Sequence, residues 1–115
     1  MTTNRRLLRL KVCDFLEVCS LNEVAKSVKA TTRDLTPMGI CFCSEAEWKP
    51  GHVLMIDYFI PEEFESIKLK VAVVWSEFID TKDGYFCGGE IIEVEQDKQE
   101  KFANYYAKKL KDLSF

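Results

Sequence analysis

Residues 67–75, with the sequence IKLKVAVVW, constrain the fold of this chain more than any other segment. The odd positions, from Ile67 to Trp75, are all apolar, whereas the even positions begin with Lys68 and Lys70 and turn apolar toward the end. Side chains of a β-strand alternate between its two faces. This period of two therefore predicts a strand with one buried face and a second face that is polar only at its start.

Five other segments show strand signals. Residues 52–60 are rich in β-branched and aromatic residues and lie between Pro50-Gly51 and Pro61-Glu62-Glu63, and residues 85–93 follow the turn signal Lys82-Asp83-Gly84. The remaining candidates are 12–20, 25–34 and 39–44. No helix-length pattern separates these six segments. They therefore favour an all-β domain, a closed or nearly closed six-stranded antiparallel barrel, over a fold that alternates strands and helices.

One helix is predicted at the C-terminal end, over residues 97–113. Asp97 followed by Glu100 resembles a capping box, and apolar residues return at steps of three and four at Phe102, Tyr105, Tyr106, Leu110 and Leu113. We expect this stripe to pack on the barrel, with a free face for a partner protein as the alternative. The chain is thus predicted to be a single domain over 1–115, with an N-terminal segment at 1–11, a barrel at 12–94 and this helix.

The charge distribution is uneven along the 115 residues. Residues 1–11 hold Arg5, Arg6, Arg9 and Lys11 and no acid, and the remainder carries 12 basic and 19 acidic residues, a net charge of −7. The formal net charge of the whole chain, −3, argues against a binder of duplex DNA. A short cationic cluster of this size suits one compact, multiply charged anion.

Several function classes are not indicated. The single histidine, His52, has no visible catalytic partners, so we expect no enzyme activity. The five cysteines include no CxxC pair, so no metal site is expected, and their odd number suits free thiols in a reducing cytoplasm. Neither a signal peptide nor a membrane-spanning segment is expected.

Two short segments carry the chemistry of a binding site. Asp34 and Thr36 are two residues apart and point to the same side of a strand, and Pro37 and Gly39 shape a turn that backbone and ligand can approach closely. Guanidinium forks match phosphates and the O6/N7 edge of guanine, whereas an aspartate accepts from guanine N–H groups. The two segments together predict a guanine nucleotide with more than one phosphate as ligand.

The chain resembles the PilZ domain family, bacterial receptors for cyclic di-GMP. The RxxxR motif of that family is present as Arg5 to Arg9, and its [D/N]xSxxG motif as Asp34 to Gly39, with Thr36 in place of the usual serine. The resemblance covers nearly the whole chain and continues in residues 39–42, 49–51, 71–75 and 84–88. It implies a six-stranded barrel with a C-terminal helix.

The resemblance also implies roles for particular residues. Arg5 and Arg9 would hold phosphates and guanine edges, Arg6 would add a phosphate or stacking contact, and Asp34 and Thr36 would bond a guanine beside the close turn at Gly39. Weaker candidates for ligand contact are Asn4, Trp75 and Gly88. The segment 1–11 would be mobile without cyclic di-GMP and ordered by it, which would change a surface for a separate partner protein. Neither a cofactor other than this ligand, nor nucleic acid, nor membrane insertion is implied.

Other interpretations stay open at this point. The arginines can be a solvated terminus and Asp34 to Pro37 an ordinary turn. A PilZ-like adaptor that binds proteins but no nucleotide is the main alternative function. A small barrel that binds single-stranded nucleic acid is another, with Tyr58, Phe59, Trp75 and Phe86 as stacking residues.

Overall fold

The computed structural model describes residues 10–21 and 27–113. Within these residues it contains seven strands, one α-helix and one short 3-10 turn, Pro61–Glu63. The strands are β1 (Leu10–Lys11), β2 (Phe15–Ser20), β3 (Ser27–Leu35), β4 (Gly39–Ser44), β5 (Val53–Ile60), β6 (Glu65–Asp80) and β7 (Gly84–Val94), and the helix is α1 (Gln99–Leu113).

Strands β2 to β7 form a closed antiparallel ring. The order is β3, β2, β5, β6, β7 and β4, and pairing between β3 and β4 closes it. The short β1 pairs with the end of β3, where Leu10 lies opposite Leu35 and Lys11 opposite Asp34. The predicted six-stranded barrel with a C-terminal helix is therefore confirmed.

The barrel interior follows the period of two that the sequence shows. In β5, alternate side chains from Leu54 to Ile60 are at most 2% exposed, and in β6 Ile67, Leu69 and Val71 are fully buried. Removing apolar surface from water is the dominant stabilising term in folding. The alternation therefore sets which face of each strand turns inward and so fixes the register of the sheet.

Helix α1 packs against the barrel through its aromatic side chains, as predicted. Phe102 and Tyr105 are 2% and 5% exposed and contact the ring of Tyr58 edge-to-face, with centroids 6.1 and 6.0 Å apart. The Asp14 carboxylate accepts hydrogen bonds from the Tyr58 hydroxyl, at 2.6 Å, and from the Tyr105 hydroxyl. One carboxylate thus joins the segment before β2 to a barrel strand and to the helix.

Ion pairs also hold α1 against the 3-10 turn and the start of β6. Lys101 Nζ lies 2.6 Å from a Glu65 carboxylate oxygen, Lys98 Nζ lies 3.0 Å from the other, and Lys109 contacts Glu62. The hydrogen bonds from Lys101 and Lys98 lower the pKa of Glu65. Exposed pairs of this kind are weak and are screened by salt, so they orient the helix more than they stabilise it.

Several element boundaries differ from the predictions: β5 differs by one residue at its start and β7 by one residue at each end, and the differences in the helix, β6 and β2 are larger. The helix begins at Gln99, because Asp97 has a left-handed φ of 76° that a helix does not continue through. Strand β6 runs from Glu65 to Asp80, beyond both predicted ends, and β2 begins at Phe15 rather than at Val12. Of the predicted N-terminal segment, residues 1–9 lie outside the described residues and the last two form β1.

Trp75 does not continue the buried face of β6. Pairing with β7 shifts between Val73, opposite Gly89, and Trp75, opposite Gly88, which leaves Val74 as an extra residue. A β-bulge of this kind re-aims the side chains beyond it. Trp75 is consequently 39% exposed and does not share the inward face of Ile67, Leu69 and Val71.

No helix in the described ranges is both long and apolar enough to span a membrane.

Candidate functional site

A second bulge lies in β3 at Arg33. Thr32 pairs with Phe42 and Asp34 with Cys41 of β4, so Arg33 is the extra residue between two paired ones. Past the bulge the side-chain alternation is broken, and the neighbours Asp34 and Leu35 are both buried, at 7% and 0% exposure. Leu35 belongs to the hydrophobic core. Asp34 instead lines a surface pocket.

This pocket lies on a row of residues that crosses four strands. Asp34 of β3 pairs with Cys41 of β4, Cys41 with Gly88 of β7, and Gly88 with Trp75 of β6. We call the depression along this row the row pocket. It has a volume of about 210 Å³ and is lined by Asp34, Thr36, Gly39, Ile40, Cys41, Val74, Trp75, Gly88, Gly89 and Glu90.

Gly88 forms the floor under the indole of Trp75. A Cβ atom at Gly88 would lie 2.1 Å from Trp75 Nε1 and 2.3 Å from Cε2, far inside contact distance. Only glycine therefore allows the indole to lie this close to the backbone of β7. Trp75 is itself one of the residues that line the row pocket.

Thr36 organises the turn between β3 and β4. Its Oγ1 accepts hydrogen bonds from the backbone N–H of Met38, at 3.1 Å, and of Gly39, at 2.9 Å, while its own N–H donates to the Gly39 carbonyl at 2.9 Å. Threonine and serine hydroxyls stabilise turns in this way. The sequence-based prediction missed this internal role, although the T-x-x-G spacing signals it.

The described part of the row pocket is acidic. Asp34 and Glu90 line it, and none of its described lining residues is a cation. Within residues 10–21 and 27–113, no hydrogen bond reaches the Asp34 carboxylate, and the described cations nearest to Asp34 are Arg33, which directly precedes it, and Lys11, which pairs with it across β1 and β3. The predicted site residues Asn4, Arg5, Arg6 and Arg9 lie outside the described residues, and Arg9 is the residue that directly precedes β1.

Comparison with known proteins identifies the family. The model of the PilZ domain family matches residues 3–108. The chain belongs to this family. PilZ domains are receptor and adaptor domains, and the match covers both the barrel and most of α1.

The solved structure of the Bacillus subtilis inhibitor of motility (MotI/DgrA) is similar to this PilZ domain, with a TM-score of 0.76 at 13% sequence identity. The similarity covers 96% of this chain and 53% of that protein, so the PilZ domain spans about half its length. At this identity the likeness concerns the fold alone. No curated protein matches the chain in sequence.

The structure brings five of the predicted site residues of this PilZ domain together at the row pocket: Asp34, Thr36, Gly39, Trp75 and Gly88. At Gly39, an added Cβ would lie 3.4 Å from the Gly89 carbonyl oxygen, which is an ordinary contact. The packing around Gly39 therefore does not itself require glycine. His52 is exposed, none of the five cysteines forms a disulfide, and the described residues contain no cluster of metal-ligating side chains.

A larger groove lies on another side of the barrel. Phe15 on β2 and Phe59 on β5 border a depression of about 440 Å³, and Phe15 is 67% exposed. We call it the phenylalanine groove, and its other lining residues are Leu16, Glu17, Lys29, Asp57 and Ser66. The sequence-based prediction missed it, because outward-facing phenylalanines on a strand look the same in sequence as buried ones.

Proposed function

We propose that this PilZ domain is a receptor for cyclic di-GMP that binds a guanine of the ligand in the row pocket. The observation that carries the proposal is the convergence of Asp34, Thr36, Gly39, Trp75 and Gly88 on one pocket, although they come from four separate strands and a turn. Chance resemblance in two short motifs gives no reason for such convergence.

The chemistry of the row pocket suits a guanine. Asp34 is buried, and its carboxylate receives no hydrogen bond from the described residues, so it is an acceptor in need of donors. Guanine offers N1–H and N2–H on one edge, which a carboxylate can accept together. The Trp75 indole supplies a surface on which the base can stack. Among the described residues, the Thr36 hydroxyl donates only a long hydrogen bond, of 3.5 Å, to the Gly39 carbonyl. This hydroxyl can therefore donate to the ligand instead.

The phosphates require cations that the row pocket lacks. A cyclic dinucleotide carries two negative charges, whereas Asp34 and Glu90 repel anions. We therefore assign the phosphates to the basic residues that precede β1, with Arg5 and Arg9 as the main contacts and Arg6 as a further one. Pockets that enclose drug-sized ligands measure about 300–1,000 Å³, and the row pocket is smaller. A ligand seated in it extends beyond its rim, where this basic segment can cover it.

The signal in this proposal is a change of surface. The basic residues that precede β1 would cover the bound ligand and replace an acidic face of the barrel with a composite of nucleotide and arginines. A separate downstream protein in the bacterial cytoplasm would recognise that face.

An adaptor function without nucleotide is the second candidate. The exposed Phe15 and the phenylalanine groove favour it, because exposed apolar patches mark protein contacts. The groove is formed by residues of β2, β3, β5 and β6 and shares none with the row pocket, so the two functions can be tested separately.

The test is a calorimetric titration of the full chain with cyclic di-GMP at two salt concentrations. We expect guanine-selective binding that weakens with salt, and a loss of at least about 10-fold in Asp34→Asn, since one hydrogen bond to a charged group contributes about 1.5–3 kcal/mol. Asp57→Asn is the matched control, because Asp57 lines the phenylalanine groove. Absence of binding up to about 100 µM, checked by a second method because enthalpies can cancel, would favour the adaptor.

A further inference from the structure

Arg33 is the only arginine among the described residues, and neither the sequence motifs nor the row pocket accounts for it. It is the extra residue of the β3 bulge and directly precedes Asp34. Its side chain is exposed, and its guanidinium carbon lies 4.4 Å from the centroid of the Phe86 ring.

Phe86 lies on the same face of β7 as Gly88, the floor of the row pocket. The two residues are separated by Cys87, which is 1% exposed and belongs to the core, so Phe86 and Gly88 both point away from the core. Arg33, held over Phe86, is therefore beside the row pocket on the outer face of the barrel. The bulge places Arg33 and Asp34 next to each other on this face.

The guanidinium keeps its donors free for a ligand. Stacking on Phe86 occupies one face of the planar group and limits its orientations, while within the described ranges its N–H groups form neither a hydrogen bond nor an ion pair. A planar fork of donors that is oriented but unpaired fits a planar pair of acceptors. Guanine presents such a pair at O6 and N7.

We propose that Arg33 donates to the O6/N7 edge of the guanine whose N1–H and N2–H groups bond Asp34. This inference rests on the proposed function and adds base selectivity to it. Adjacent donor and acceptor side chains then match the acceptor and donor groups of guanine. Adenine reverses the pattern, with an amino group in place of O6 and an unprotonated N1, and is rejected at both contacts.

The experiment is a cycle between a protein change and a ligand change. Wild type and Arg33→Ala are titrated with cyclic di-GMP and with the analogue in which carbon replaces N7 of both guanines, leaving the phosphates untouched. We expect the wild type to bind the analogue at least about 5-fold more weakly, since a bidentate arginine–guanine contact contributes about 1–3 kcal/mol. Arg33→Ala is expected to bind the two ligands equally and cyclic di-GMP more weakly than wild type.

Two further variants distinguish the loss of a positive charge from the loss of the planar fork. Lys29→Ala removes a positive charge from an exposed position of β3 on the phenylalanine groove. It should leave the ratio of the affinities for cyclic di-GMP and for the analogue as it is in the wild type. Arg33→Lys keeps the charge but loses the fork, and should resemble Arg33→Ala in its ratio. Thermal unfolding of each variant checks that the barrel is intact.

The outcomes distinguish this inference from the function on which it rests. If Arg33→Ala weakens both ligands by one common factor and keeps the wild-type ratio, Arg33 contacts a phosphate and base reading is refuted. If Arg33→Ala binds both ligands as the wild type does, Arg33 has no part in binding although the receptor function stands. If the wild type binds neither ligand, the receptor function itself is refuted and the inference with it.

Discussion

Replacing Gly88 with alanine tests whether the row pocket depends on the close contact between β7 and Trp75. The added Cβ would lie 2.1, 2.3 and 2.7 Å from three atoms of the indole, whereas ordinary contact begins at 3.4 Å. The indole must therefore move by about 1.3 Å, from 2.1 to 3.4 Å, to reach ordinary contact. Because Trp75 is 39% exposed, it can pivot outward without disturbing the core.

The displacement should affect binding more than stability. Overpacking costs about 1–3 kcal/mol in a well-packed core, and a partly exposed indole places this site at the lower end. About 1 kcal/mol corresponds to a decrease in melting temperature of about 4–8 °C for a domain near this size. Base–aromatic stacking contributes about 1–3 kcal/mol, so a displaced indole should weaken cyclic di-GMP binding at least about 5-fold.

Calorimetry and intrinsic fluorescence measure the two effects. Trp48 is buried and donates its indole N–H to Ser44, so a change in emission in Gly88→Ala reports Trp75. In a Trp75→Ala background, Gly88→Ala should have no further effect on affinity, because the clashing indole is gone. If Gly88→Ala alone leaves the affinity unchanged, Trp75 is not a ligand contact. The same holds if Gly88→Ala lowers the affinity equally in the Trp75→Ala background.

Three further substitutions test other parts of the structure. Arg9→Ala should weaken cyclic di-GMP binding at least about 10-fold by calorimetry, and an unchanged affinity would exclude Arg9 as a contact. Thr36→Ser keeps the Oγ1 acceptor of the turn and should bind as well as the wild type or slightly better, whereas a tenfold loss in the same titration would assign the methyl group a packing role. Burial and the hydrogen bond to Asp14 raise the pKa of Tyr105, so its contribution to stability is complete below the unfolded pKa of about 10 and falls as pH rises above it. Urea unfolding of Tyr105→Phe across this range should show a shallower pH dependence than the wild type, and an identical slope would contradict the Asp14 network.

The strands were predictable because the interior of a small barrel imposes alternation on each of them. Strand β4 was predicted with its observed bounds, and β5 differs only by excluding His52. The buried face of α1 was likewise visible as spacings of three and four. These patterns are local in sequence, and burial alone is enough to produce them.

The bulges were not predictable, because they depend on pairing between distant strands. Nothing in the residues around Arg33 or Val74 indicates an extra residue, yet these two bulges bring Asp34 and Trp75 to the row pocket. The role of Asp14, which was predicted only as part of a strand, also depends on residues that are distant in sequence. Its carboxylate accepts hydrogen bonds from Tyr58 and Tyr105, which are 44 and 91 residues away in the chain.

An NMR titration of the isotopically labelled chain with cyclic di-GMP tests directly whether the row pocket receives the nucleotide. We expect the backbone amides of Gly39 and Gly88 and the indole N–H of Trp75 to shift, since all three residues line the row pocket. The amide signals of Glu17 and Asp57, which line the phenylalanine groove, should not shift. Shifts confined to the groove, or an unchanged spectrum at saturating ligand, would contradict the proposal that the row pocket receives the nucleotide.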